Sequence, residues 1–475
     1  MKQLVLWFVC FTQASLWSQV NDLNALSSGQ YLGFQAIFDQ DEKLYGYVAQ
    51  YYFGKLSKEE RKFEIVLLDK NLNKVLNKEI ETSRFVEYYS SFMNFKGELV
   101  LRPQIDNEEV TKAGIKRVFI PKVKVLNLTT NELKEREEQC YDVNGFKPCG
   151  DDQNVKELLK QIEKDKKKMG YYFKNSVYTM KDETFLVFEY KQYDKKSRGH
   201  TYSKYDENKN KLWTYSYNNF PVKSKDYEVM YVFFSDDTDI YFYKNSIIKK
   251  REVLEIIRLD LKTGKEVFRK DVSHLKDADL VQYNKLRSYY QTIDNTQGFD
   301  DKVVLVSKKY NHKTDDCLGY SRMVIDKNTN EIKFDDLLFT SLKSELEVNQ
   351  HGKFKNGYDL AVRDLFFTKD GGVGFLFEKI KIGTSFWTGS LVPRTTDLIY
   401  VHADAQFKPS AVSVLSKEKS KGVMSDYLFS QSINDEENLV FFYRDQVKDE
   451  NTKEKNWKLF INTIIDSKLN TESID

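Results

Sequence analysis

Glu255-Ile256-Ile257-Arg258-Leu259-Asp260-Leu261-Lys262-Thr263-Gly264-Lys265 is a doubly apolar run that breaks into a polar turn. Asp or Asn opens such a turn well because its side chain caps the backbone. Gly or Asn then serves where the chain must visit positive φ. The stretch therefore predicts one strand, a tight hairpin loop and a returning strand. The same pattern begins again at Asp69, Asn127, Asp206, Asp326, Asp404 and Asp466, so it occurs seven times in all. Successive turns are 58, 79, 54, 66, 78 and 62 residues apart, which is the spacing of a repeated supersecondary unit.

The rest of each unit repeats as well. Upstream of each turn lies a second buried-type strand, such as Thr184-Phe185-Leu186-Val187-Phe188, Asp239-Ile240-Tyr241-Phe242-Tyr243 or Leu439-Val440-Phe441-Phe442-Tyr443. A polar turn and a further apolar stretch precede it, for example Ser235-Asp236-Asp237-Thr238 after Val229–Phe234. The unit is four strands, A-turn-B-loop-C-turn-D. Seven such units without intervening helices predict an all-β chain: a seven-bladed β-propeller of four-stranded antiparallel blades. An elongated stack of antiparallel sheets is the structural rival. The expected blades span about 29–80, 81–136, 170–218, 225–272, 285–340, 357–416 and 425–475, within one domain over 19–475. Little chain follows Asp466, so strand D of the last blade is expected to be short, or completed by Val20–Ser27.

Composition agrees with a large folded core. The chain has 475 residues, 40% hydrophobic and 14% aromatic, with 74 basic and 72 acidic side chains. Those values exclude a disordered chain, and a mean hydropathy of −0.60 excludes a helical membrane bundle. Residues 1–18 read as a signal peptide: Lys2, an apolar run from Leu4 to Phe11, then Ser18 before Gln19. The run is too short to anchor the chain in a bilayer. The Leu16-Trp17-Ser18-Gln19 ending and the hairpin repeat together resemble uncharacterised exported β-propeller-like repeat proteins of Bacteroidota-type bacteria. That resemblance covers nearly the whole mature chain, implies a secreted or periplasmic location, and brings no activity with it. No Trp-Asp repeat, kelch double glycine or sialidase-type Asp-box is present.

An oxidising compartment gives the cysteines meaning. Cys140 and Cys149 enclose a turn-rich loop and are expected to form a disulfide, leaving Cys317 as a free thiol. Asp152–Met169 carries Val155, Leu158, Leu159 and Ile162 at helical spacing, so a short helical insertion is expected there. Both features fall in the 137–169 insertion between blades two and three. In a propeller, B–C and D–A connections share one end of the blades, and these insertions are expected to cap or wall that end.

Charge points to the same end. The B–C windows 54–62, 105–117, 191–200, 244–252, 308–320, 379–397 and 444–458, taken as long loops, sum to +12. The mature chain carries 73 basic and 72 acidic side chains, so everything else sums to −11. A basic end attracts polyanions at modest ionic strength. Candidate ligand-binding residues are therefore Lys195, Lys196, Arg198 and His200, then Lys249, Lys250, Arg251 and His312, and finally Phe386, Trp387 and Arg394. The Phe386-Trp387 pair could stack on a sugar or a partner.

Catalytic signatures fail. Asp69, Asp206 and Asp326 imitate the opening of a calcium loop, but the twelfth positions are Ile80, Tyr217 and Leu337 instead of Glu. No Gly-x-Ser-x-Gly elbow, His-Glu-x-x-His helix or P-loop occurs. His200, Arg198, His312, Asp315 and Asp316 are the remaining groups suited to acid–base work, and none is assigned a catalytic role. No metal or other cofactor is expected. The sequence thus favours a monomeric, non-enzymatic binding or scaffold protein for a protein, glycan or polyanionic envelope ligand, with no nucleic-acid partner and no transmembrane anchor. A carbohydrate-active hydrolase or lyase, or a purely structural envelope component, is the alternative.

Overall fold

The computed structural model describes residues 26–474, excluding several turns and the longer stretches 106–109, 116–121, 149–163, 165–171, 193–197, 218–226, 274–278, 283–285, 288–291, 385–390, 434–437 and 449–454. Its fold is a seven-bladed β-propeller of four-stranded antiparallel blades. Blade 1 comprises β1 (Gln30–Phe38), β2 (Leu44–Lys55), β3 (Glu60–Asp69) and β4 (Lys74–Ser83). Blade 2 comprises β5 (Val86–Met93), β6 (Glu98–Ile105), β9 (Val123–Asn127) and β10 (Glu132–Arg136), with a small hairpin of β7 (Val110–Thr111) and β8 (Gly114–Ile115) between β6 and β9. A second hairpin, β11 (Gln139–Asp142) and β12 (Gly145–Pro148), precedes blade 3, which is β13 (Tyr172–Thr179), β14 (Phe185–Gln192), β15 (Arg198–Tyr205) and β16 (Lys211–Ser216). These blades belong to a compact unit ending at Ser224.

The second unit, Lys225–Asp475, holds the other four blades. Blade 4 is β17 (Tyr227–Ser235), β18 (Asp239–Ile248), β19 (Arg251–Asp260) and β20 (Glu266–Asp271). In blade 5, strand A is split into β21 (Asp279–Gln282) and β24 (Thr296–Gly298), both pairing with β25 (Lys302–Asn311), and β22 (Leu286–Arg287) and β23 (Thr292–Ile293) form an excursion between them. That blade continues with β26 (Cys317–Asp326) and β27 (Ile332–Leu338). Blade 6 is β28 (Asp359–Phe367), β29 (Val373–Thr384), β30 (Leu391–Ala403) and β31 (Pro409–Leu415), with β32 (Ser420–Lys421) added to β30. Blade 7 is β33 (Tyr427–Ile433), β34 (Asn438–Lys448), β35 (Lys455–Ile465) and β36 (Lys468–Ile474).

Several expectations are corrected. Blade 7 has its own seven-residue fourth strand, β36, so no N-terminal segment is needed to complete it. The windows taken as long B–C loops are largely strand: β18 and β19 run to within two residues of each other, and only 385–390 separates β29 from β30. Apolar pattern alone could not show this, because strands that project beyond the buried part of a sheet become polar while their backbone ladder continues. All of 152–169 except Lys164 lies outside the described residues, as do Val20–Ala25. A short helical turn absent from the sequence reading joins blades 5 and 6, a 3₁₀ turn at Phe339–Leu342 running into α1 (Lys343–Leu346), with Phe339, Leu342 and Leu346 buried. No described helix is long and apolar enough to cross a membrane.

The inner strands are buried on both faces, as β3 (six consecutive buried residues, Phe63–Leu68) illustrates. Fourth strands are the exposed edge: β20 reads Glu-Val-Phe-Arg-Lys-Asp and buries no residue fully. Charged edges of this kind deter edge-to-edge pairing with other chains. Neighbouring blades share apolar clusters, with Ile65, Leu67, Tyr89 and Leu99 between blades 1 and 2 and Tyr320, Phe375, Phe377 and Phe407 between blades 5 and 6.

Candidate functional site: the hairpin tips and the arm of blade 6

Opposite ends of the blades do different work. At the A–B and C–D end, the turn carboxylates are taken up by their own backbone. Asp69 accepts from the Asn73 amide at 2.8 Å, Asp206 from Asn210 at 2.8 Å, and Asp326 from Thr329 at 2.7 Å. Gly264 (φ 68°) and Asn330 (φ 58°) take up the left-handed position these turns require. The calcium-like spacing is thus a turn spacing. The same end also latches one blade to the next within each unit. In the second unit, Arg258 donates to the Lys327 carbonyl at 2.8 Å and to Asp239 at 2.7 Å, while Lys327 reaches Asp236 at 2.9 Å. In the first unit, Asn94 and Arg136 of blade 2 both engage Glu183 of blade 3.

The 140–149 loop does not form a wall at the B–C end. Its hairpin packs on blade 3: Tyr141 Oη lies 3.1 Å from Tyr205 Oη, and Phe146 contacts the rings of Phe185 and Tyr205. Those partners stand at the turn end of β14 and β15, so the hairpin supplements a core. Cys140 sits opposite Lys147 in this ladder, and Cys317 is a free thiol. Cys149 lies outside the described residues.

At the B–C end the strand register brings like charges together. Lys55 is paired with Arg61 in blade 1, and Lys381 with Arg394 in blade 6. In blade 6 the row continues, because Arg394 is also paired with Lys421 of β32. Directly opposed side chains share a sheet face, and like charges there repel. Lys381, Arg394 and Lys421 are all exposed, and none forms an ion pair among the described residues. Lys381 Nζ donates to the Asn356 carbonyl at 3.0 Å.

This row belongs to an arm, the outer half of the β29–β30 hairpin, whose other face is locked down. Ile380, Thr395 and Ser420 are buried on that face. Beneath them is a charged cluster with no solvent exposure. Glu378 accepts from Arg363 Nε at 2.7 Å, from Ser425 Oγ at 2.8 Å and from the Asp426 amide at 3.1 Å. Lys417 Nζ lies 2.6 Å from Asp426 Oδ2, and Thr395 Oγ1 donates to the same carboxylate at 3.0 Å. Burial opposes the charge on Asp426, but Lys417 and the hydroxyl donors outweigh it and hold its pKa below the ordinary carboxylate value. Asp445, next to the cluster, is shifted the other way, with burial raising its pKa against the two bonds it accepts from the Glu418 amide. Glu378 and Asp426 are acids of the type that cleave glycosides. Here both are sealed inside and fully partnered, so they position the arm instead of meeting a substrate.

Of the residues singled out from sequence, Arg394 stands in this row and Arg251 is exposed at the start of β19. Arg198 begins β15. His200 is not in a loop; it is 5% exposed within β15, its ring centroid 4.8 Å from that of Tyr190 and 5.3 Å from that of Tyr217. That places it in an aromatic core, away from any surface ligand. Lys195, Lys196, Lys249, Lys250, His312, Phe386 and Trp387 lie outside the described residues, as does Asp315, while Asp316 is exposed. Lys381 and Lys421 were missed. The first was hidden in a window treated as loop, and the second lies in a D–A connection that no local pattern ties to β30.

No family model matches the sequence, and no curated protein matches it. Solved structures with a similar course of the chain include the β-propeller domain of the Trilobed protease from Pyrococcus furiosus, 11% identical over 94% of this chain and 96% of that one, with a TM-score of 0.38. The WD40 domain of SCAP from fission yeast is 10% identical over 94% and 84%, with a TM-score of 0.33. A polysaccharide lyase, the PL25 ulvan lyase, is 7% identical over 94% and 96%, with a TM-score of 0.32. The architecture follows from the strand pairing itself, and these likenesses add nothing about activity.

Proposed function

We propose that the protein is an exported, non-enzymatic binding propeller that holds a polyanionic ligand of the cell envelope at its B–C hairpin tips. The observation that carries this reading is the register-opposed pairing of basic residues in blade 1 of the first unit and, separately, in blade 6 of the second. Each pair raises the energy of the free protein slightly and is relieved when an anion lies between the two charges. Rigid hairpins suit the role because little ordering entropy is lost on binding. The signal-like segment 1–18 and the resemblance to exported Bacteroidota-type proteins support release into the periplasm or beyond, as a monomer. In that oxidising setting Cys140 and Cys149 are bonded to each other. The test is isothermal titration of the mature chain, residues 19–475, with acidic polysaccharides. Binding that weakens about tenfold between 50 and 200 mM salt supports the reading. Absence of binding to any polyanion at 50 mM salt removes it.

A further inference from the structure

We infer that the outward face of the blade 6 arm is a subsite for a linear acidic glycan, whose successive anionic groups lie on Lys381, Arg394 and Lys421. The inference rests on the preceding reading and narrows it to one place and one ligand class. The three residues stand on three adjacent strands in direct register. Adjacent strands are about 5 Å apart, so the cations form a row about 10 Å long running across the strands. Arg394 is central, and its planar fork can take one carboxylate or sulfate through two parallel hydrogen bonds. The flanking ammonium groups act as point charges on the neighbouring groups of the ligand.

The surface beside the row is shaped for a sugar ring. Gly383 and Val392 are paired two residues further along the same strands and share the outward face with Lys381 and Arg394. Among the described residues a Cβ placed on Gly383 would meet only the Val392 carbonyl, at 3.8 Å, so Gly383 adds no side-chain bulk to this face. The apolar face of a pyranose can rest there while its anionic substituent reaches the cations. The face is also pre-formed, because the reverse side of the same strands is fixed by Thr395 on Asp426 and by Ile380 and Ser420 in the core. A nucleic acid fits less well. Tight binding of a phosphate backbone depends on neutralising many phosphates along a long basic track. This row supplies three cations in a chain whose net charge is +2.

The experiment titrates the mature chain with oligogalacturonate, which carries carboxylates, and with a sulfated dextran oligosaccharide, which carries sulfates. The variants are Arg394→Glu, Lys421→Glu and, at another tip, Lys55→Glu/Arg61→Glu. Urea unfolding of each variant identifies any that fails to fold, and Arg394→Gln stands in for Arg394→Glu should the latter do so. The expected result is a tenfold or greater loss of affinity for at least one of the two glycans in both blade 6 variants, with less than a threefold change in the blade 1 variant. The probe bound more tightly identifies carboxylate or sulfate as the group recognised. Unchanged glycan affinity in the blade 6 variants, together with a loss in the blade 1 variant, overturns the subsite but leaves the polyanion reading standing. Failure of the parent protein to bind either glycan or any other polyanion overturns both. Single-stranded DNA of matched charge competing as well as the glycan overturns the ligand class.

Discussion

Lys417 Nζ and Asp426 Oδ2 are 2.6 Å apart, and both side chains are wholly buried beneath the arm of blade 6. Removing one partner strands a charge in the interior, so Lys417→Met and Asp426→Leu are each expected to cost about 4 kcal/mol in urea unfolding. The double variant removes both charges and should recover part of that loss. A double variant as unstable as the sum of the singles would contradict an ion pair that acts as a unit.

Two neighbouring carboxylates should respond to pH in opposite directions. Asp426 has its folded pKa depressed below 3.8, so its contribution to stability is complete above the unfolded value and is lost as pH falls through the folded one. Asp445 has its folded pKa raised, so its ionised form weakens the fold at neutral pH and the penalty disappears on acidification. Asp426→Asn is therefore expected to lower the melting temperature at pH 7 more than at pH 3. Asp445→Asn should leave it unchanged or raise it at pH 7. Thermal scans across this pH range decide the matter, and a large loss in Asp445→Asn at pH 7 would refute the assignment.

Arg322 ties blade 5 to blade 6. It donates to the Gly371 carbonyl, to the Ala405 carbonyl at 2.9 Å and to Asp335 at 2.6 Å, with its guanidinium carbon 4.9 Å from the Phe407 ring centroid. Arg322→Met leaves one buried carbonyl, of Gly371, and one half-buried carbonyl, of Ala405, without this donor and is expected to cost about 3 kcal/mol. Arg322→Lys keeps the charge but loses the fork, and should cost about half as much. Equal stability of the Met variant and the parent in denaturant would show that the latch carries no load.

The blade count and strand order were readable because they follow from local chemistry. A turn such as Asp260–Lys265 fixes a hairpin, and a run such as Phe63–Leu68 fixes a strand buried on both faces. The arm was not readable in the same way. Beyond Ile380 β29 has only exposed and half-buried residues, and β30 up to Thr395 buries only Pro393 and Thr395 on either side of Arg394, under a ladder that only pairing reveals, while Lys421 reaches it through β32, two residues long. His200 misled for the converse reason: a polar residue next to Arg198 looks like loop chemistry, yet tertiary packing folds it among Tyr190 and Tyr217. Tip charges could be summed from sequence, but only the register showed which of them oppose one another.

Thiol chemistry offers the last check. Residues 19–475 contain Cys140, Cys149 and Cys317. Burial raises the pKa of Cys317, so it should react slowly with alkylating reagents in the native protein. Unfolding without reductant is expected to expose one reactive thiol per chain, and reduction should expose three. A Cys140–Cys149 bond would close a loop of about ten residues, and on that proposal Cys140→Ser/Cys149→Ser is expected to cost about 3 kcal/mol in the chain-entropy account. The hairpin carries Tyr141 and Phe146 onto blade 3, so this loss should appear together with increased exposure of Tyr205, read by hydrogen exchange of β15. Three reactive thiols in the unreduced, unfolded protein from an oxidising host would rule the bond out.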